Sequence, residues 1–104
     1  NGLCTIFAVG STAGITTLEY EPGLLKDLPE LLNRLIPKSS NYKHNETWGD
    51  GNGFSHLRSA IFKTNFSVPI LNSELVLGTW QQIVYMDFDN RPRNRRVIVQ
   101  LIGE

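Results

Sequence analysis

Two histidines, His44 and His56, stand twelve residues apart in the stretch YKHNETWGDGNGFSHL at 42–57, together with Glu46, Trp48 and Asp50. Imidazole changes charge near neutral pH and is a common metal ligand, so a pair beside a carboxylate suits acid–base work or a divalent cation. The turn-formers Gly49, Asp50, Gly51, Asn52 and Gly53 exceed what a connecting turn needs and let the chain fold back on itself. Spacing alone leaves two readings open, a shared site and a pair of solvated loop residues. A second stretch, GSTAGITTLE at 10–19, puts small and hydroxylated residues directly after an apolar run, which suits close approach to an anion or an ordinary bend. A third, RPRNRR at 91–96, carries four arginines. Guanidinium groups grip phosphate bidentately, although such a run is also a common solvated hairpin tip.

The elements that must position these residues are read from periodicity. LCTIFAV at 3–9 and ITTLEY at 15–20 are strand-like and separated by the glycine-punctuated 10–14. Leu24, Leu28, Leu31, Leu32, Leu35 and Ile36 recur at helical spacing, and Pro29 predicts either a kink or a helix that begins near Asp27. Residues 38–53 read as a polar loop, and SHLRSAIF at 55–62 as a short helix with Leu57, Ala60 and Ile61 inward. From Phe66 onward the chain reads as strands, with LNSE at 71–74 and DNRPRN at 89–94 as hairpin turns, so the last two strands are expected to be antiparallel neighbours. Trp80 in GTWQQI is expected to be buried with its indole N–H bonded. Gln81 and Gln82 then fall on opposite faces of a strand, one of them toward the polar site. Two helices set among strand groups predict an α+β fold in a single domain.

Composition limits the partners. The chain has 104 residues, 40% hydrophobic and 19% charged, with ten basic residues balancing ten acidic ones. A zero net charge gives no field that would draw nucleic acid or an anionic membrane, and it does not oppose self-association. No apolar run approaches the roughly 20 residues that span a bilayer. Cys4 is the only cysteine, so an intrachain disulfide and a cysteine-based zinc site are both excluded, which fits the cytoplasm. The chain opens on Asn1 and becomes apolar almost at once, so an upstream segment is expected.

Together, STAGITTLEYEPG, YKHNE, DGNGFSHLRSAIF, VPI, LVLGTWQQI and DFDNRPRNRRVIVQLIG, in that order, resemble the YjbQ-type family, often labelled a secondary thiamine-phosphate synthase family. The resemblance covers residues 2–103, and LGTWQQI followed by the acidic, arginine-bearing hairpin is its most specific part. It implies a compact domain of mainly antiparallel, sandwich-like sheets, assembled as a homotrimer, with about thirty further residues upstream of this domain of 1–104. It also implies a polar site built from the histidine-bearing segments. The family's first motif commonly has a histidine before its Thr pair, where this chain has Ser11, so a three-histidine metal site does not carry over. His44 with Glu46 and His56 with Arg58 and Ser59 match the second and third motifs.

The reaction implied joins hydroxymethylpyrimidine diphosphate to thiazole phosphate with release of pyrophosphate, chemistry that needs cations or N–H dipoles on the leaving phosphates. On this resemblance Ser11, Thr12, Arg58 and Ser59 are expected to contact phosphate. His44, His56, Glu19 and Asp50 are expected to move protons or hold a metal, and Gln81 to position the heterocycle or a loop. The metal, magnesium or zinc, would rest on His44 and His56. A non-catalytic trimer that binds a phosphorylated metabolite or a metal is the alternative.

Overall fold

A computed structural model describes residues 1–104. Strand β1 (Gly2–Val9) shows the alternation expected of a sheet with one covered face: Cys4 and Ala8 are buried while Leu3, Phe7 and Val9 are exposed. Gly10–Thr12 turns the chain into β2 (Ala13–Leu18). Helix α1 (Pro22–Leu35) follows, its first turn capped by the Glu21 carboxylate, which accepts from the N–H groups of Gly23 and Leu24. The helix starts at Pro22, not near Asp27, because proline fits the first turn and Glu21 supplies the cap; it runs through Pro29 without interruption.

Helix α2 (Lys43–Trp48) lies inside the segment expected to be a loop, so there are three helices and not two. Gly49 ends it in the left-handed region, at φ 70°, where its N–H bonds Asn45 O. Helix α3 (Gly53–Phe62) then packs on β2 with the face opposite to the one expected. Phe54, Ser55, Arg58 and Ser59 are buried, while Leu57 and Ile61 face out. Close approach decides this: Ser59 Oγ donates to Ala13 O at 2.6 Å, and a Cβ on Gly14 would lie 3.0 Å from Phe62 Cβ, so small residues are what the contact accepts. The chain leaves α3 through Lys63 at φ 69°, ψ 170°, a region almost reserved for glycine that costs a side-chain-bearing residue about 1–3 kcal/mol.

Strand β3 (Asn65–Leu71) and the short β4 (Glu74–Leu75) form the expected tight hairpin, with Asn72 and Ser73 both at positive φ as a type I′ turn requires. The remaining strands are β5 (Gln82–Asp87) and β6 (Arg96–Gly103). One sheet has the order β4-β3-β1-β6 and the other pairs β2 with β5, all antiparallel. The expectation that the last two strands pair with each other is corrected here. β1 passes to β2 through residues 10–12, and β5 passes to β6 through 88–95. Both connections switch sheets at one corner, so each later strand pairs with an earlier partner.

Trp80 is also corrected. It is 70% exposed, in the loop that leaves β4 for β5. Gln81 and Gln82 are spent at the far end of β5: Gln81 accepts from Gly78 N–H and donates to Thr17, and Gln82 accepts from Tyr20 N–H. Neither reaches the corner where the two sheets meet.

Candidate functional site

The corner gathers the three stretches singled out above. A cleft of about 440 Å³ is lined by the Gly10–Thr12 connection, by His44, Trp48, Asp50, Asn52 and His56, and by Asp89 with Arg91, Arg93 and Arg95. α2 and α3 place the two imidazoles 4.3 Å apart between ring centroids, inclined at 50°. The glycine-rich loop makes this possible, since Gly49 and Gly51 both lie at positive φ and turn α3 back on α2. His44 Nε2 is 3.7 Å from Asp50 Oδ1. Burial, and secondly the neighbouring His44, push the His56 imidazole below its ordinary pKa, so at neutral pH it holds a lone pair free to accept a proton.

Asn52 couples this pair to the hairpin. With its amide nitrogen toward Asp89 it donates to Oδ1 at 3.3 Å, and its oxygen meets His44 Nε2 at 3.1 Å. Turned over, the nitrogen donates to Asp50 Oδ1 at 2.9 Å and to His44 Nε2. The first arrangement requires a proton on Nε2 and the second a lone pair there, so amide orientation and imidazole tautomer change together.

Asp89 is the hub of the opposite wall, its side chain only 1% exposed. Burial pushes its carboxyl up. Hydrogen bonds from the Asn90 N–H, the Asn52 amide, the Arg93 guanidinium and the Thr12 hydroxyl outweigh that and hold it below the usual carboxylate range. Arg93 Nε donates to Asp89 Oδ2 at 2.8 Å. Arg95 donates to both oxygens of Asp87 and, through Nη2, to Thr12 Oγ1 at 2.8 Å. Gly10 leaves the room for this, because a Cβ there would press on Arg95 Nη1 at 3.2 Å. Arg91, exposed at the rim, makes no ion pair. Three guanidinium groups against two carboxylates give the cleft a positive balance before its histidines are counted.

Of the residues expected to act, the structure brings together Ser11, Thr12, His44, Asp50 and His56. Glu19 follows the far end of β2, roughly 20 Å of extended chain from Thr12. Gln81 is at that same end. Arg58 is buried under α1, where its guanidinium donates twice to Ile36 O, at 2.7 and 3.1 Å, and once to Asn33, over the Phe54 ring. Ser59 gives its proton to Ala13 O and touches only a neighbouring hollow. Asp89 and Asn52 went unremarked as site residues in the sequence, whereas Arg95 falls within the arginine run already singled out for phosphate. Their signal was the alternation of Asp87 and Asp89 around Phe88, just ahead of an arginine run that can turn back on them.

Arg58→Ala is therefore expected to lower stability by about 2 kcal/mol by stranding the Ile36 carbonyl at the end of α1. Thermal unfolding checks this, and phosphate affinity measured well below the transition is expected to change less than twofold.

The whole chain, residues 1–104, matches the family model described as UPF0047 protein YjbQ-like. The chain belongs to this family. A UPF0047 protein of Archaeoglobus fulgidus is 36% identical over 98% of this chain and 79% of its own length. One from Methanothermobacter thermautotrophicus is 38% identical over 100% of this chain and 71% of its own. Among solved structures, a YbjQ-like protein of unknown function from Sulfolobus solfataricus P2 superposes with a TM-score of 0.92 at 35% identity, over 100% of this chain and 74% of that one. A hypothetical protein from Aeropyrum pernix K1 also gives 0.92, at 34% identity, over 100% and 75%. The YjbQ-like domain thus spans roughly three quarters of these relatives. No helix in it is long and apolar enough to cross a membrane.

Proposed function

We propose that the YjbQ-like cleft binds a small phosphorylated metabolite and that His56 exchanges a proton with it. The observation that carries this reading is the arrangement at the corner: two neighbouring imidazoles, one of them held below its ordinary pKa, face three guanidinium groups across a polar cleft of ligand size. The phosphate lies against the Ser11–Thr12 connection and the arginines, whose fork geometry matches its oxygens. His56, its lone pair free, takes a proton from the ligand or stabilises one on it. Asp50 and His44 beside it set the charge and tautomer of the pair.

Trp48, the one hydrophobic side chain lining the cleft and 72% exposed, offers a flat face to a heterocycle. Together with the resemblance drawn from the sequence, this supports the finer reading that the reaction is formation of thiamine phosphate from a pyrimidine diphosphate and a thiazole phosphate, and the lone Cys4 fits the cytoplasm. No group of three or more imidazole, carboxylate or thiolate ligands converges on one point, and a cation resting on His44 and His56 stands as a separate expectation. Titrating the chain with Mg²⁺ and Zn²⁺ alone is the test of that separate expectation.

Calorimetry with sulfate, a phosphate-shaped anion whose charge does not change between pH 6 and 8, tests the reading. A bound anion raises the depressed pKa of His56, so binding is expected to take up a proton and to strengthen as pH falls from 8 to 6. The slope of apparent enthalpy against buffer ionisation enthalpy reports that uptake. A zero slope, or no binding, overturns the role of His56 or of the cleft, respectively. In the absence of ligand the sign is opposite: below pH 6.5 the unfolded chain takes up the proton that the folded one resists, so stability falls.

We also propose that the chain assembles as a closed trimer through β6. All eight residues of β6 are exposed, with Val97, Val99 and Leu101 on one face and Ile98 and Ile102 on the other, and its outer edge is unpaired. The accessible surface is 7210 Å², against about 5,900 Å² expected for a monomer of this mass. The excess of roughly 1,300 Å² is the area that two half-interfaces of ordinary size remove. Light scattering at micromolar concentration is expected to give three times the chain mass, and a monomer mass would refute the assembly.

A further inference from the structure

Past His56 the cleft opens into a second hollow of about 370 Å³. It shares Gly10, Ser11 and His56 with the first and adds Lys63, Thr64 and Asn65. Its lining holds no carboxylate, and Lys63 takes part in no ion pair, so this hollow has one cation and no protein anion to balance it. Lys63 is also the residue held where almost only glycine rests easily. The backbone bonds made there, Lys63 N–H to Ser59 O and Ile15 N–H to Lys63 O, need no side chain. Glycine would make both without strain. A strained lysine at the edge of a cavity has only its side chain to justify it, and the chain offers that side chain no partner.

We propose that the Lys63 hollow receives a second anionic group of the ligand whose phosphate occupies the first hollow. The ligand class is then a small organic phosphate bearing a further acidic group, either a carboxylate or another phosphate, that bridges the two hollows past His56. This rests on the reading of the first hollow as a phosphate site. Lys63 acts here as a specificity-determining residue, worth about tenfold in affinity as a charge-assisted contact.

Calorimetry with three probes tests this: inorganic phosphate, 2-phosphoglycolate and methylenediphosphonate, each against the unsubstituted chain, Lys63→Gly and Lys63→Met. The unsubstituted chain is expected to bind at least one of the two double anions about tenfold more tightly than inorganic phosphate, and the preferred probe identifies the second group. Both variants are expected to lose that preference to within twofold while binding inorganic phosphate as before. Lys63→Gly is expected to raise the melting temperature because it releases the strained backbone, so its loss of preference is not a folding defect. No preference in the unsubstituted chain, a preference that survives in either variant, or a fall in melting temperature for Lys63→Gly would each overturn the proposal. Absence of binding by all three probes ends the reading of the first hollow and this one with it.

Discussion

Replacing Asp89 with alanine is expected to destabilise the fold by about 3 kcal/mol, because it leaves the buried Thr12 hydroxyl and Asn52 amide without their shared acceptor. The carboxylate is almost fully enclosed and receives Thr12, Asn52, Arg93 and the Asn90 N–H. In a domain of this size the loss corresponds to a drop of roughly 12 °C or more in melting temperature. Asp89→Asn, which keeps the shape and one acceptor oxygen, is expected to lose less. Circular dichroism across temperature separates the two variants. The same carboxyl gives a pH signature. Its folded pKa is depressed, so its contribution is fully present above the unfolded value near pH 4 and is lost as pH falls through the folded value. Acid unfolding of the unsubstituted chain should therefore begin below pH 4, and Asp89→Asn should shift less with acid.

His56→Ala is expected to leave stability within about 1 kcal/mol, since the ring is only partly enclosed and donates to no structural acceptor, but to weaken phosphate binding about 30-fold through loss of a charge-assisted contact. Proton uptake on sulfate binding should vanish with it. If the cleft forms thiamine phosphate from the two precursors, mass spectrometry of the product after incubation with Mg²⁺ should show none for this variant. Phosphate affinity unchanged by the substitution would move the site away from the histidines.

The sequence made much of this site legible, though unevenly. His44, His56 and the glycine-rich turn between them announced a loop built to fold back, since glycine supplies the positive φ that the return needs. The tight turn at Asn72 and Ser73 was readable for the same local reason. What was not legible was non-local. Whether DNRPRN joins two neighbouring strands or carries the chain from one sheet to another depends on what β1 and β2 offer as partners, and no short window contains both. Arg58 misled because a buried guanidinium serving a helix end and one serving a phosphate look the same in a string of letters. Trp80 misled because apolar character says nothing of whether a loop has anything to pack against. α3 was read with the wrong face inward because its contact with β2 selects small residues over greasy ones.

The pairing of β1 with β6 sets the timing of folding as well as its outcome. Gly2 lies opposite Gly103 and Val9 opposite Arg96, so one edge of the first strand waits for the last. At ordinary translation speeds of about 5–20 residues per second, that interval is roughly 5–20 s on the ribosome. Throughout it, a strand carrying Leu3, Ile6, Phe7 and Val9 presents an unmatched row of backbone donors and acceptors to any neighbouring nascent chain. Closure across residues 2–103 is also slow once synthesis ends, because so long a loop must be drawn shut before any of its contacts can hold. Expression yield should therefore respond to codon choice and growth temperature more than the equilibrium stability of the finished domain would suggest.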